Sequence, residues 1–439
     1  MYYKSILILL KDENKGRLTI TNEIIKDNAY FIEAYLKPKE INICPKCSST
    51  NVISNGKKQR CFQDEYYANE PTYVSVTYHR FLCKSCSKMF VDKISGLNPK
   101  QSISTNIKLN ILEDLKDDIS FTAVANRRHV SIQTVIDVFE SYVSMDRVSF
   151  GYVLCMDEFK NLKSSSGKYA FVMFDPNSHM INDVLPDRIQ KTIDDYLYSI
   201  DWHEKNQVKY VITDMNESYR TIIKRHFINA THIVDTFHFL RYVEDAFNKV
   251  RIRVQANFKV DKPEYKILKR YWRILSTYYI DVEGDNLYNP LTKKYCNAET
   301  ILQSAIALDD DLNNAYTLTR DFLLGIRTVK YENASEWLDS WIKKAEDFDI
   351  KEFIELKSMF YNWKKEIINS FIRFGEKKLH NGYIEGINNQ IKVIKRIAFG
   401  YQNFTHFRNR IMYVINSGVT AFKHVDVSKI FRKPRKKTK

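Results

Sequence analysis

The chain has 439 residues, of which 44% are hydrophobic and 28% charged, a composition that supports a packed core and excludes a wholly disordered chain. Lys and Arg number 68 against 53 Asp and Glu, and the net charge of +15 favours a polyanionic partner such as nucleic acid or an acidic membrane surface. No apolar run approaches the about 18 residues of a membrane span, so no membrane span is predicted, and the motifs below favour DNA over a membrane as the partner. Seven cysteines without an export signal predict reduced thiols in a cytoplasmic protein.

Two Cys-x-x-Cys pairs lie near the N-terminus, and their members are Cys44 and Cys47, then Cys83 and Cys86. Each pair can present two thiolates to one ion, and four cysteines complete a tetrahedral structural Zn²⁺ site. The segment between them is rich in β-formers and alternates over Tyr73 to His79. We therefore expect a zinc ribbon over about 40–92 within an N-terminal region 1–100. The alternative is a set of unligated thiols.

Residues 101–147 change to a helical period and predict a helix-turn-helix. Ser120 precedes a helix from Phe121 to Arg128, and Ser131 precedes another from Ile132 to Tyr142, each serine being a suitable N-cap. The turn between them falls near His129. An ordinary three-helix bundle is the competing interpretation. The candidate DNA contacts are Arg127, Arg128, Gln133 and Thr134.

An alternation of strands and helices follows. The predicted strands are 153–156, 169–174, 180–185, 208–213 and 232–234, with helices over 189–202 and 219–227. Three strands, then helix, strand, helix and strand, is the order of an RNase H-like fold. We therefore predict a multidomain α/β protein whose RNase H-like catalytic core is a mixed sheet with helices, preceded by the zinc ribbon and the helix-turn-helix.

Two aspartates stand where buried strands end, Asp157 after the first and Asp214 after the fourth. Two like charges repel unless a cation neutralises them, and Mg²⁺ prefers such oxygen ligands. Two metal ions at such a site can activate a water or a 3′-hydroxyl and stabilise the leaving oxygen of a phosphodiester. The alternative for each aspartate is a helix or turn cap.

A third acid, Glu385, stands on a predicted helix whose isoleucines form one apolar face. Asn389, Lys392 and Arg396 continue the stripe that Glu385 begins, which suits a metal-binding carboxylate beside a basic track for DNA phosphates. A plain amphipathic surface helix is the alternative.

These segments resemble the DDE transposases of the ISL3 insertion-sequence family. The resemblance is carried by the paired cysteines and the helix-turn-helix, and by five short segments: 156–159, 212–214, 235–238, 381–388 and Lys392 with Lys395-Arg396. It implies Asp157, Asp214 and Glu385 as the catalytic triad, holding two Mg²⁺ or Mn²⁺ ions, with Asp235 and His238 in supporting positions and Lys392, Lys395 and Arg396 on DNA. His238 is equally well interpreted as a structural histidine.

The second and third acids are 171 residues apart, more than a compact core requires, so an insertion lies between them. Helical patterning predicts a helical insertion domain over 241–375, which leaves 148–240 and 376–420 as the catalytic domain and 421–439 as a basic tail. The aromatic residues of the insertion are better explained by core packing than by base stacking.

The predicted function is a transposase that binds the terminal inverted repeats of its element and performs metal-dependent strand cleavage and transfer into target DNA. The active complex is expected to be a homo-oligomer, because two DNA ends must be joined, and to associate with the nucleoid. The competing hypotheses are a catalytically inactive or domesticated DNA-binding regulator and a structure-specific RNase H-like nuclease.

Overall fold

The computed structural model describes residues 16–65, 71–92, 94, 102–165, 167–276, 286–374, 377–379, 382–397 and 403–420. They divide into two compact units. The first comprises the described residues up to Arg147, with 162–165 and those from Asn389 onward, and the second comprises Val148–Asn161 and those between 167 and 388. The basic tail predicted over 421–439 lies outside the described residues.

A five-stranded sheet opens the first unit. Its strands are β1 (Leu18–Lys26), β2 (Ala29–Leu36), β3 (Val52–Glu65), β4 (Pro71–Cys83) and β5 (Met89–Val91). The order is β1-β2-β4-β3, with β5 on β4, and only β2 and β4 run parallel. One face buries Ile32, Phe62, Val74 and Val76. Sequence patterning did not predict β1 and β2, because β1 is exposed over almost its whole length and shows no alternation.

Three helices follow in the same unit, α1 (Thr105–Asp114), α2 (Phe121–Arg127) and α3 (Ile132–Tyr142). The expected caps are confirmed, since Ser120 Oγ accepts from Ala123 N and Ser131 Oγ accepts from Thr134 N. His129 has a φ of 52°, in the left-handed region, and makes the predicted tight turn.

The second unit is built on a sheet whose strands are β6 (Val153–Lys160), β7 (Tyr169–Asp175), β8 (Met180–Leu185), β9 (Tyr210–Thr213) and β10 (Thr231–Val234). The order is β10-β9-β6-β7-β8. Strands β10, β9 and β6 are parallel, whereas β7 is antiparallel to both β6 and β8. Three helices accompany the sheet: α4 (Gln190–Tyr198), α5 (Trp202–Asn206) and α6 (Glu217–His226).

The single helix expected over 189–202 is wrong. The chain forms two helices, because Ile200 turns into the core with 5% of its surface exposed and Asp201 caps the second helix by accepting from His203 N. Strand β6 is also longer than the predicted 153–156, since pairing with β7 extends it to Lys160.

The region of the predicted insertion is mostly helical. Its helices are α7 (Thr236–Ala256), α8 (Pro263–Arg270), α9 (Trp272–Ser276), α10 (Ala298–Ile306), α11 (Asp310–Thr328), α12 (Ala334–Asp347), α13 (Lys351–Ile354), α14 (Lys357–Asn362) and α15 (Lys364–Asn369), with a 3-10 turn at Tyr331–Asn333. It also contains a hairpin that the helical pattern did not predict, formed by β11 (Leu287–Asn289) and β12 (Lys294–Cys296). Trp341, Phe353 and Phe360 are buried in its core, as expected for packing aromatics.

The C-terminal part begins with a short hairpin, β13 (Arg373–Phe374) and β14 (Lys377–Lys378), and ends with two helices, α16 (Gly382–Ile397) and α17 (Phe404–Thr420). Helix α16 begins in the second unit and ends in the first. Within the described residues, no helix combines the length and apolar content that crossing a bilayer requires.

Candidate active site

Asp214 directly follows β9 as predicted, whereas Asp157 lies within β6 and not after its end, because pairing with β7 continues the strand to Lys160. The pairing of β6 with β9 ends at Cys155 and Ile212, so each aspartate stands two residues beyond the last paired position. Carboxyl ends of parallel strands meet at one edge, which places both side chains together.

The environment of both aspartates disfavours their ionised forms. Burial, and next the charge of Asp214, raise the pKa of Asp157 to about 6, opposed by a hydrogen bond from Glu158 N and by His238. Burial, and next the charge of Glu158, raise the pKa of Asp214 to about 6, opposed by Arg188. The opposing effects of Arg188 and His238 are smaller than those of burial and carboxylate repulsion, so the two aspartates form a site that favours a bound cation.

Helix α16 reaches this site through Asn388. Its Nδ2 donates to Asp157 Oδ2 at 2.8 Å, and its side chain is buried. Glu385 precedes Asn388 by three residues, so the two lie on neighbouring turns of one helix face. Glu385 itself is exposed. Among the described residues, no group of three acids has carboxylate oxygens within 4.8 Å of one another, so the three predicted acids are not gathered at that distance.

Asp235 and His238 lie at the start of α7, directly after β10. Asp235 is buried, and its backbone N–H donates to Thr213 O at 2.9 Å. Its charge also raises the pKa of Asp214, although burial and the charge of Glu158 raise it more and Arg188 opposes the shift. The backbone N–H of His238 donates to Asp235 O at 3.1 Å, and its imidazole lies near enough to Asp157 to lower the pKa of that carboxyl. Both supporting residues therefore border the two aspartates.

Glu158 follows Asp157 on β6, so its side chain points to the opposite face of the sheet. Its side chain bonds with Arg188 and accepts from Tyr219 Oη at 3.0 Å, while Arg188 also covers the Tyr169 ring at 4.7 Å. The Glu158 charge nevertheless raises the pKa of both aspartates. Neither Glu158 nor Arg188 was assigned a role from the sequence, and neither was Asn388. The signal that was present for Asn388 is its position one turn after Glu385.

The site offers oxygen atoms that lack partners. Asp214 Oδ1 and Asn388 Oδ1 are buried, and neither has a hydrogen-bond partner in the described part of the chain. Buried polar atoms without partners are costly. Carboxylate and amide oxygens are ligands of Mg²⁺ and Mn²⁺, so these residues fit a divalent cation.

The four predicted zinc ligands are gathered at the base of the N-terminal sheet. All four sulfur atoms lie within 4.8 Å of one another, and the Sγ–Sγ distances are 3.6 Å for Cys44 to Cys86 and for Cys47 to Cys83. Tetrahedral thiolates at about 2.3 Å from one ion would be about 3.8 Å apart. Ser48 and Ser87, each following the second cysteine of its pair, both have positive φ, so the two turns share one conformation. Cys61 is exposed and outside this cluster.

The predicted DNA-contact residues differ in exposure and in the contacts that their side chains make. The Arg128 guanidinium bonds with both carboxylate oxygens of Asp114 and is 13% exposed, whereas Arg127 contacts the same carboxylate but is 47% exposed. Gln133 is exposed and donates to Asp137 within α3, and the Thr134 hydroxyl bonds with Ser131. On α16, Lys392 and Arg396 are exposed and Lys395 is half-buried.

Comparison with known proteins assigns the family. The model of the ISL3-type DDE transposases, described as transposase, matches residues 154–411, a segment that contains Asp157, Asp214 and Glu385. The chain belongs to the ISL3 family of DDE transposases. It is 23% identical over 395 residues to the transposase for insertion sequence element IS1001 of Bordetella parapertussis, covering 87% of this chain and 91% of that protein.

A less extensive match is to a protein of Lactococcus lactis subsp. lactis named ATP-dependent protease. The two are 21% identical over 229 residues, which cover 48% of this chain and 71% of that protein. The family resemblance seen in the sequence motifs is confirmed by the family match and by the IS1001 relative. The chain thus belongs among the transposases, whose substrate is DNA and whose chemistry uses divalent metal ions.

Proposed function

We propose that this transposase binds the terminal inverted repeats of its insertion sequence and cleaves and transfers their strands with Asp157, Asp214 and Glu385. One observation carries the proposal. Asp157 and Asp214 stand together at the carboxyl edge of the sheet, where burial and next a neighbouring carboxylate raise the pKa of each. Asn388, one turn after Glu385 on α16, donates a hydrogen bond to Asp157.

The strand arrangement supports an RNase H-like core. The order β10-β9-β6-β7-β8, with only β7 antiparallel to its neighbours, is the mixed sheet expected of that fold. The first acid stands on the central strand β6, and the second directly follows its parallel neighbour β9. Pairing of these two strands brings the positions together, which explains how acids 57 residues apart in sequence share a site.

The metal ligands would be Asp157, Asp214 and Glu385, with Mg²⁺ or Mn²⁺ as the ion. Bound in a pair, such ions would lower the pKa of a water or 3′-hydroxyl and stabilise the leaving oxygen of the phosphodiester. Within the chain, the hydrogen bond from Asn388 orients the carboxylate of Asp157, and the ion pair with Arg188 restricts rotation of the Glu158 side chain. Glu385 is exposed, and its carboxylate would move toward the two aspartates when DNA and metal bind.

The first unit supplies the proposed DNA recognition. A structural Zn²⁺ on the four cysteines would hold the two turns of the ribbon, and α2 with α3 form a helix-turn-helix whose exposed Gln133 begins the recognition helix. Arg127, Lys392 and Arg396 remain accessible to phosphates. Synapsis of two ends requires at least a dimer in the active complex.

The test is strand transfer by Glu385→Gln on a duplex that carries the element's terminal repeat, with Mg²⁺ or Mn²⁺. Strand transfer is expected to fall at least about a thousandfold, since a metal-binding carboxylate is lost, while binding of the repeat changes less than about twofold. Glu336→Gln is the matched control, because Glu336 is also an exposed helical glutamate but lies on α12. Unaltered transfer by Glu385→Gln would overturn the proposal.

The same assay separates the competing functions. A structure-specific nuclease would cleave branched duplexes without preferring repeat ends, and a DNA-binding regulator would bind the repeat with no cleavage in either metal. Either result would replace the transposition mechanism proposed above.

A further inference from the structure

The helical region between β10 and α16 contains a cavity of about 340 Å³ with a basic and aromatic lining. Its walls come from the loop between α7 and α8, from α8 itself and from the β11–β12 hairpin. The lining residues are Val260, Tyr265, Lys266, Lys269, Arg270, Tyr288 and Pro290. No acid belongs to this lining, and three cations do.

Helix α8 projects these cations outward because its opposite face is buried. Ile267 and Leu268 are fully buried in the helical core. Lys266 and Arg270 are four residues apart, as are Tyr265 and Lys269, so all four side chains share the outer side of the helix. The three cations are exposed, and none forms an ion pair with a carboxylate in the described part of the chain. Lys269 Nζ lies 5.5 Å from the centre of the Tyr265 ring.

The walls of the cavity are fixed by buried polar contacts. Buried Arg251 donates to Leu268 O near the end of α8, at 3.0 Å. Tyr271 Oη donates to the backbone oxygen of Tyr288 at 2.7 Å and ties the hairpin to the helices. Asn289 is fully buried, accepts from Leu291 N at 2.9 Å and donates to Ser304 Oγ at 3.0 Å. The cavity is therefore formed by a rigid support.

We propose that this cavity receives one unpaired nucleotide of the DNA substrate. A volume of 340 Å³ is at the small end of ligand sites, enough for one base with its sugar and far too small for a duplex. The half-buried rings of Tyr265 and Tyr288 suit stacking on a base, and the three exposed cations suit its flanking phosphates. The proposal rests on the proposed function only in taking DNA as the substrate.

Binding is tested with the full-length protein and a 20-base-pair duplex that carries a single bulged 2-aminopurine, without divalent metal so that no strand is cut. Fluorescence of the bulged base is expected to be quenched on binding, and affinity to exceed that for the fully paired duplex about tenfold. The double variant Tyr265→Leu with Tyr288→Leu should lose both the quenching and the preference. Equal affinity of the wild-type protein for the two duplexes, without quenching, would overturn the proposal.

Matched variants separate stacking from folding. Tyr265→Phe with Tyr288→Phe keeps both ring faces and should retain quenching. Tyr361→Leu alters an exposed tyrosine of α14 that is not in the lining, and it should also retain quenching. If Tyr361→Leu abolishes quenching as completely as the double leucine variant, the assignment of the base to this cavity is wrong.

The phosphate contacts have their own readout. Replacing Lys266, Lys269 and Arg270 by Gln should reduce the slope of log affinity against log salt concentration by about two on the bulged duplex. Lys293→Gln, on the hairpin but outside the lining, should reduce it by less than one. An unchanged slope in the triple variant would contradict the proposed phosphate contacts.

A competition arm identifies the source of the nucleotide. Deoxyadenosine monophosphate at a tenfold excess over the duplex should leave the signal quenched; full recovery would assign the cavity to free nucleotides and overturn the DNA assignment. Because the assay needs no cleavage, it succeeds or fails independently of strand transfer by Glu385→Gln.

Discussion

At the residue scale, the candidate active site lowers the stability of the fold, because it buries two neighbouring carboxylates. Asp157 and Asp214 are largely buried carboxylates whose pKa is raised to about 6, mainly by burial. One oxygen of Asp214 has no hydrogen-bond partner among the described residues. Without a cation, ionising these groups at neutral pH therefore destabilises the folded state.

Asp214→Asn is expected to raise the free energy of unfolding at pH 7.5 by about 1–2 kcal/mol in protein purified without Mg²⁺ or Mn²⁺. The folded state holds the Asp214 proton up to about pH 6, whereas the unfolded chain releases it near about pH 4. The wild-type protein thus loses stability as pH rises through this window, and the neutral amide does not. Thermal unfolding should show Tm higher by about 2–4 °C for each kcal/mol.

The pH dependence supplies the control for this prediction. At pH 4, Asp214 is protonated in nearly all folded molecules and in roughly half of the unfolded ones. The difference in Tm between Asp214→Asn and the wild-type protein should therefore shrink. A variant that is less stable than the wild-type protein at pH 7.5 would show that Asp214 makes a favourable contact as an anion.

At the element scale, a single glycine sets how closely α11 and α12 pack. A Cβ atom built on Gly325 would lie 2.1 Å from the Trp337 ring nitrogen, and Trp337 also packs against Phe322 and Phe371 with centroids 5.2 and 5.4 Å away. The indole cannot retreat without displacing its aromatic neighbours.

Gly325→Ala should therefore lower the free energy of unfolding by about 1–3 kcal/mol, despite the better helix propensity of alanine. Gly386→Ala is the matched control, because Gly386 is also helical and a Cβ there meets nothing within 4 Å. It should be neutral or stabilising by up to about 1 kcal/mol. Urea unfolding measures both variants, and equal effects would refute the packing explanation.

The two cysteine turns make a second prediction at this scale. Purified protein should carry about one Zn²⁺ per chain, and Cys44→Ser should lose it, because three thiolates leave the tetrahedral site open. Cys61→Ser should keep the metal, since Cys61 lies on β3 outside the cluster. Elemental analysis checks both, and a metal-free wild-type protein whose N-terminal sheet is folded would contradict the prediction.

At the scale of the whole molecule, sequence-distant segments are joined by buried polar contacts. Arg410 on α17 is 2% exposed and donates to the backbone oxygens of Leu115, Asp117 and Ile119, at the end of α1 and just after it. The guanidinium also lies 5.7 Å from the ring centre of Phe121. The C-terminal helix therefore completes the unit that contains the proposed helix-turn-helix.

Arg410→Met should destabilise that unit by about 2–4 kcal/mol, because the buried oxygen of Leu115 loses this donor and the part-buried oxygens of Asp117 and Ile119 each lose one hydrogen bond. Binding of the terminal repeat should weaken in parallel as temperature rises. Arg408→Met, which removes a neighbouring arginine that donates to Met145 O, should cost less. Urea unfolding and repeat binding at two temperatures measure the effect. An equal loss of stability in both variants would show that the Arg410 contacts do not stabilise the unit more than those of Arg408.

Local patterns were sufficient for the parts of the molecule that depend on near neighbours. The serine caps, the His129 turn and the buried isoleucines of α16 follow from hydrogen bonding and periodicity within one helix. The break at Ile200 did not, because burial in the core overrode the local helical pattern. The β11–β12 hairpin was also missed; the fully buried Asn289, which accepts from Leu291 N, stabilises its turn.

By itself, the sequence determined the family, the order of strands along the chain around Asp157 and Asp214, and the assignment of the four cysteines to one metal-binding cluster. Each depends on residue type and spacing along the chain. Only the tertiary structure decided that Asn388 bonds with Asp157, that the Glu158 charge reaches both aspartates, and that tyrosines and cations of α8 and the hairpin line one cavity. Such contacts join residues far apart in sequence, and their distances follow from packing, which no local pattern encodes.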